Sequence, residues 1–210
     1  MKKFELTTES ITNEAGKKLF RIKALIDFGD VKAGELGGYV EKEGNVSQDD
    51  NAWVSGDAEV FGNAKVFGNA RVSGHAWVSD NAWVSDNALV FGRALVFGDA
   101  KVSGRALVFG NARVSGDALI SGNARVSGNA WVSDNADYAL VQGFGIKFRC
   151  TTFYRGKNKK IMVNCGCFHG DLEEFRKQVK ETRSGKIAKE YLMIADLMEY
   201  HFVSEDSSDE

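Results

Sequence analysis

Few side chains in this sequence of 210 residues have both the type and the spacing to do chemistry. His75 opens the hexapeptide HAWVSD, with Asp57 eighteen residues before it and Arg93 eighteen after. Stacked in one column, a carboxylate and a guanidinium would flank an imidazole able to act as a general base. Elsewhere that place holds Asn, Asp or Arg, so the plainer reading is a polar corner residue. Cys150, Cys165, Cys167 and His169 are a second set. Cys-x-Cys-x-His on one strand and a cysteine on its neighbour offer a tetrahedral metal site. Pairing the two strands about their centre sets Cys150 opposite Cys165 and Phe148 opposite Cys167, all on one face. Alternate residues of a straight strand diverge, however, and the usual spacer of roughly two to four residues between thiols is missing. Free cysteine is also among the most buried residue types. The expectation is core cysteines, no metal and no cofactor.

A third set is basic. Lys147, Arg149, Arg155, Lys157, Lys159 and Lys160 crowd one stretch, and no acid occurs from Tyr138 to Gly170. Together with Arg71, Arg93 and Arg105 they are the candidate anion-binding residues. Basic groups beside an aromatic such as Phe153 suit phosphate or single-stranded nucleic acid. The alternative is charge balance against the acidic helices that follow. AGELGG at residues 33–38 lacks the strand–loop–helix setting and the Lys-Ser/Thr of a phosphate loop. The net charge is −2, so no overall field draws the chain to nucleic acid or membrane. No apolar run approaches the roughly 18 residues of a membrane helix, and no signal-peptide pattern follows Met1. Three cysteines do not suggest an oxidised scaffold. A cytoplasmic protein with reduced thiols and no membrane partner is expected.

What must position these groups is one uninterrupted repeat. Residues 51–134 are fourteen consecutive six-residue units. The second position is Ala throughout, the fourth is Val except at Ile120, and the sixth is Gly except at Asp80, Asp86 and Asp134. Ala and Val, two apart, point to one side of a strand, and the third and fifth positions to the other. Gly-Asn, Gly-Asp and Asp-Asn pairs tolerate left-handed backbone angles and turn a corner. Each unit is then a short strand and a bend. Units three apart should stack as parallel strands about 4.8 Å apart. Each buried valine contributes roughly 1.5–3 kcal/mol.

The pattern [Val/Ile]-x-[Gly/Asp]-x-Ala-x resembles the hexapeptide repeat of left-handed parallel β-helix proteins. The resemblance implies eighteen residues per triangular turn and a homotrimer. Acyltransferases of that family usually place a catalytic histidine on or near a loop protruding from the coil. Here fourteen units pass without one, which leaves an acyl-CoA-dependent acyltransferase using His75 as the enzymatic alternative. The flanks, GDVKAGELGGYVEKEGNVSQDDNAW at 29–53 and CGCFHGDLEEF at 165–175, resemble segments of uncharacterised bacteriophage-encoded proteins. That second resemblance implies the cytoplasm of a host cell and no assigned activity.

Outward positions carry the information in such a coil, and every third unit gives one wall. The first wall bears Trp53, Arg71, Leu89, Leu107 and Arg125, with Phe91 and Phe109. The second bears Glu59, Trp77, Leu95, Arg113 and Trp131, with Phe61 and Phe97. The third bears Lys65, Trp83, Lys101 and Leu119, with Phe67. Leu89 and Phe91 fall beneath Leu107 and Phe109, and Leu95 and Phe97 lie round the corner. These six, with Phe61 and Trp77, are the expected oligomer or partner interface, because a monomer rarely leaves such a patch in water.

Residues 1–50 read as an N-terminal cap, with hairpin strands Phe4–Thr7 and Leu19–Phe28 about a turn at Asn13–Gly16. Residues 51–140 form the β-helix. Within 141–203, strands Ile146–Tyr154 and Ile161–Phe168 precede helices Asp171–Arg183 and Lys186–His201. Residues 204–210 are an acidic tail expected to be disordered. The predicted fold is mainly β: a left-handed parallel β-helix with an N-terminal β cap and a small C-terminal α+β domain of ββαα order. The predicted function is a non-catalytic, phage-type interaction protein, a rigid trimer that binds and inhibits a host defence factor, either a protein or a nucleoprotein complex. Direct nucleic-acid contact falls to the basic hairpin alone. A second reading is a sponge for a small anionic nucleotide signal lodged between protomers near Arg71, Arg93 or Arg105.

Overall fold

The repeat folds as its period demands. The computed structural model describes residues 2–146, 149–157 and 159–202, and of Arg149 the backbone alone. Three strands precede the repeat: β1 (Phe4–Thr12), β2 (Lys18–Ala24) and β3 (Leu36–Val40). Each of the fourteen units then contributes one two-residue strand, β4 (Trp53–Val54) through β17 (Trp131–Val132). Paired residues are eighteen apart (107 − 89 = 18): Leu89 lies between Arg71 and Leu107, Leu95 between Trp77 and Arg113, and Lys101 between Trp83 and Leu119. Three parallel sheets result, wound as a solenoid of about five turns. Hydrogen bonds run from turn to turn, as from Leu89 N–H to Ala106 O at 2.9 Å and from Phe91 N–H to Val108 O at 3.0 Å.

The alanine and the valine of each unit, or Ile120 in its place, fill the interior, none more than 2% exposed. The corner glycines have φ between +57° and +75°. Asp80 and Asp86 adopt the same conformation, at +57° and +58°, which costs a residue with a side chain roughly 1–2 kcal/mol. A hydrogen bond offsets it in each case. Gly98 N–H donates to Asp80 Oδ2 at 3.1 Å, and Gly104 N–H to Asp86 Oδ2 at 2.9 Å. Asp134 differs, with φ −146°, and caps the 3₁₀ turn Asn135–Asp137 that ends the coil.

The N-terminal strands close the first turn. Phe4, Ile22, Ala24 and Val40 join the solenoid core, and β3 pairs parallel to the second wall, Tyr39 with Glu59. A Cβ on Gly37 would stand 2.6 Å from Val54 O, and one on Gly38 would stand 2.6 Å from Ala58 O. The glycine pair of AGELGG thus lets backbone lie flat on the first turn, a packing role in place of a phosphate cradle. Lys3 is buried there, its Nζ donating to Asp50 O at 2.7 Å and Ala52 O at 2.9 Å. Trp53, outward by register, is nonetheless 2% exposed, because Phe4 and Phe28 meet its ring edge-on.

At the other end the sequence predicts two strands, and four are present. These are β18 (Tyr138–Phe144), β19 (Arg149–Arg155), β20 (Ile161–Cys165) and β21 (Phe168–Asp171), antiparallel in sequence order. Helices α1 (Leu172–Thr182) and α2 (Gly185–Phe202) follow. β18 grows out of a stretch that reads as decaying repeat, while Gly166, at φ +63°, folds β21 back on β20. The sheet is covered on both faces. Tyr154, Met162, Leu140 and Tyr138 close the last turn of the coil, while Phe153, Val163, Ala139 and Val141 pack under the helices. Asn164 Nδ2 donates to Arg125 O at 2.7 Å and to Ser127 Oγ at 3.1 Å, stitching sheet to coil. Arg176 bonds Glu173, Asp196 and Glu199 at 2.6–2.8 Å and so fastens α1 to α2. The predicted acidic tail lies outside the described residues.

Candidate interaction surface

The first wall is claimed at both ends. Near the N-terminus Trp53 is covered, and Arg71 is ion-paired with Asp30. Near the C-terminus Ser127 is buried, and the Arg125 N–H donates to Thr152 Oγ1 at 2.9 Å. Between them two turns remain uncovered. Leu89 pairs with Leu107, and the Phe91 and Phe109 rings stack with centroids 4.9 Å apart. The Arg125 guanidinium closes the stack from above, 5.8 Å from the Phe109 centroid. Leu95 and Phe97 continue the patch on the second wall, and all six side chains are half-buried or exposed. An apolar centre with arginines at its margins is the make-up of an interface core and rim.

Of the other two residues of the expected interface, Phe61 is buried and Trp77 is half-buried. Phe61 is 7% exposed and shares a cluster with Leu19 and Tyr39, with Trp77 packed against it edge-on at 5.9 Å. The tip of the β1–β2 hairpin covers this end of the second wall, where Asn13 Nδ2 donates to Glu59 Oε2 at 3.0 Å. Burial pushes the Glu59 carboxyl up from its ordinary range, and the Asn13 hydrogen bond opposes the shift. Phe61 is therefore a cap contact, because the cap doubles back over the outer face, and Trp77 packs on its edge. On the third wall, Lys101 Nζ stands 5.2 Å over the exposed Trp83 ring.

Among the described residues the candidate anion-binding groups do not converge. Arg71 lies on a wall, Arg93 and Arg105 on two different corners. Arg155 binds Asp137 at 3.0 Å and Phe202 O at 2.7 Å, tying α2 to the coil's end. Lys160 pairs with Asp171 at 3.0 Å, which leaves Lys157 and Lys159 exposed in the turn. Lys147 and the Arg149 side chain lie outside the described residues.

The thiol and histidine set also comes apart. Cys165 pairs with Thr151, one residue from the predicted partner Cys150, and a shift of one sends a side chain to the opposite face. Phe148, predicted opposite Cys167, lies outside the described residues. Cys167 is exposed in the turn, and His169 turns back to the coil, its Nδ1 2.8 Å from Asn164 Oδ1. Burial, and more weakly the Cys165 thiol, push the Cys150 thiol up, away from the thiolate a metal needs. Among the described residues no group of three or more His, Cys, Asp or Glu gathers into a metal cage. His75 Nδ1 is 3.8 Å from Asp57 Oδ2, with both side chains about two-thirds exposed, so a base there would act in open water.

Residues 118–134 match the family model described as YdcK Beta solenoid repeat. The chain carries a β-solenoid repeat. The matched stretch lies wholly within the coil, so the likeness extends to neither cap. None of the curated proteins compared with the chain matches it. No helix among the described residues is long and apolar enough to cross a membrane.

A further apolar surface lies on α2, outside the expected interface. Met193, Leu197 and Tyr200 are 61%, 58% and 80% exposed on α2. Their i, i+4, i+7 spacing is a legible stripe, hidden by the stronger buried stripe of Tyr191, Ile194 and Met198.

Proposed function

We propose that the protein is a non-enzymatic scaffold that self-associates side by side, a homotrimer about an axis parallel to the coil, and presents its remaining surfaces to a macromolecular partner. The observation that carries this is the uncovered apolar panel of Leu89, Phe91, Leu107 and Phe109, two turns tall. Both ends of the solenoid are closed by its own chain, which blocks growth of the coil end to end and favours association through a wall. Burying such a panel against copies of itself removes from water the apolar part of the first wall that the caps leave bare. The likeness of the flanks to phage-encoded segments directs the search for a partner to the host cell, where occupying a defence factor would be the outcome of binding. The test is the mass of the native protein and of the double variant Phe91→Ser, Phe109→Ser. A trimer that becomes a folded monomer supports the reading, and an unchanged mass overturns it.

A further inference from the structure

The C-terminal domain holds a cavity of about 310 Å³ between the helix-facing side of its sheet and the two helices. Phe168, Phe175, Val179 and Tyr191 give it an apolar, aromatic side, Gln178 and Thr182 a polar one, and Cys165 lines it too. Arg183 stands exposed at its edge, in the break between α1 and α2. This guanidinium differs from its neighbours. Arg176 has three carboxylates and Arg155 has one, whereas Arg183 Nη1 donates to its neighbour's carbonyl, Thr182 O, at 3.0 Å. Among the described residues no carboxylate lies within ion-pairing distance of it. A partly aromatic cavity with an uncompensated cation at its mouth is a recognisable ligand site.

We infer that this cavity binds a small amphiphile, an apolar chain or ring with one carboxylate, which Arg183 receives. At about 30 Å³ for each non-hydrogen atom the space takes on the order of ten of them. The apolar body lies against Phe168 and Phe175, where it displaces water at little polar cost. The carboxylate stays at the wet mouth and meets the guanidinium fork in two parallel hydrogen bonds. A cation of the same length meets like charge, and an alcohol loses the charged bond.

Sodium octanoate, with 1-octanol and octylammonium as controls, tests this by calorimetry on the full chain. Alkylation of Cys165 by iodoacetamide, read by peptide mass, is the second readout. Octanoate should bind saturably and slow the alkylation of Cys165 while leaving that of exposed Cys167 unchanged. Arg183→Gln should weaken octanoate about tenfold, which is about 1.4 kcal/mol, and leave octanol unaltered. Val179→Phe, which fills the space, should abolish both. Cys165 alkylation that ignores octanoate overturns the inference, even where Val179→Phe fails to fold. Equal octanoate affinity in wild type and Arg183→Gln overturns it too. Self-association is read separately, by mass, so the two proposals fail independently.

Discussion

The Phe91 and Phe109 rings are parallel to within 2°, their centroids 4.9 Å apart. The coil sets this spacing, since the two residues hold the same place on successive turns about 4.8 Å apart. The stack is therefore rigid before any partner arrives, and little side-chain entropy remains to be lost on docking.

That rigidity makes the patch sensitive to one charge. Leu107→Glu places a carboxylate in the middle of the panel, between Leu89 and Arg125. Sedimentation should show the assembly falling to monomers. The monomer's unfolding free energy should move by less than about 0.5 kcal/mol, as for other surface changes. A stable trimer in this variant would place the interface elsewhere.

Corner residues divide by chemistry. Asp80→Ala keeps a side chain at positive φ and loses the hydrogen bond from Gly98, so urea denaturation should show a loss of about 1 kcal/mol. Asp80→Gly loses the same bond but relieves the backbone, and should lie closer to wild type. Equal losses would mean that strain plays no part.

Lys3 gives the N-terminal cap a pH dependence. Burial, only partly opposed by the Asp50 carboxylate, pulls its ammonium down to about 8, against about 10.4 in an unfolded chain. Between those values the unfolded chain holds a proton that the folded one has released, so stability rises with pH across that window. Below about 8 both forms are charged, and the full cost of burying the ammonium stands. Thermal melts of wild type and Lys3→Met should show wild type gaining on the variant from about pH 8 to 10. A constant difference would contradict this.

The seam between coil and terminal sheet rests on Asn164. Asn164→Leu strips Arg125 O and Ser127 Oγ of their donor and leaves His169 without its amide partner. Unsatisfied buried groups cost about 1–3 kcal/mol. Limited proteolysis should then cut near residues 135–145 faster than in wild type, with the coil itself still resistant.

Periodicity made the coil legible, because alanine and valine two apart have one way to share an interior, and eighteen residues per turn fixes every pairing. Asp80 and Asp86 were legible as corner residues for the same reason. The ends obey no period. Leu19 lies over Phe61 because a hairpin doubles back, a long-range contact that no local pattern announces. The β19–β20 register was missed by one place. Thr151 and Thr152 are both buried, at 3% and 1%, so the strand is covered on both faces and lacks the alternation that fixes register. The cavity beside Arg183 depends on how two helices meet a sheet, and nothing in their separate sequences measures that gap.

The three-fold winding also makes the coil an indexing device. Removing eighteen residues from its middle would bring the two ends closer by about 4.8 Å and leave their relative heading unchanged. Removing six would instead swing the terminal domain by one third of a revolution about the long axis, facing its cavity across a different wall. Length and bearing are thus set separately by the same repeat, one counted in turns and the other in remainders.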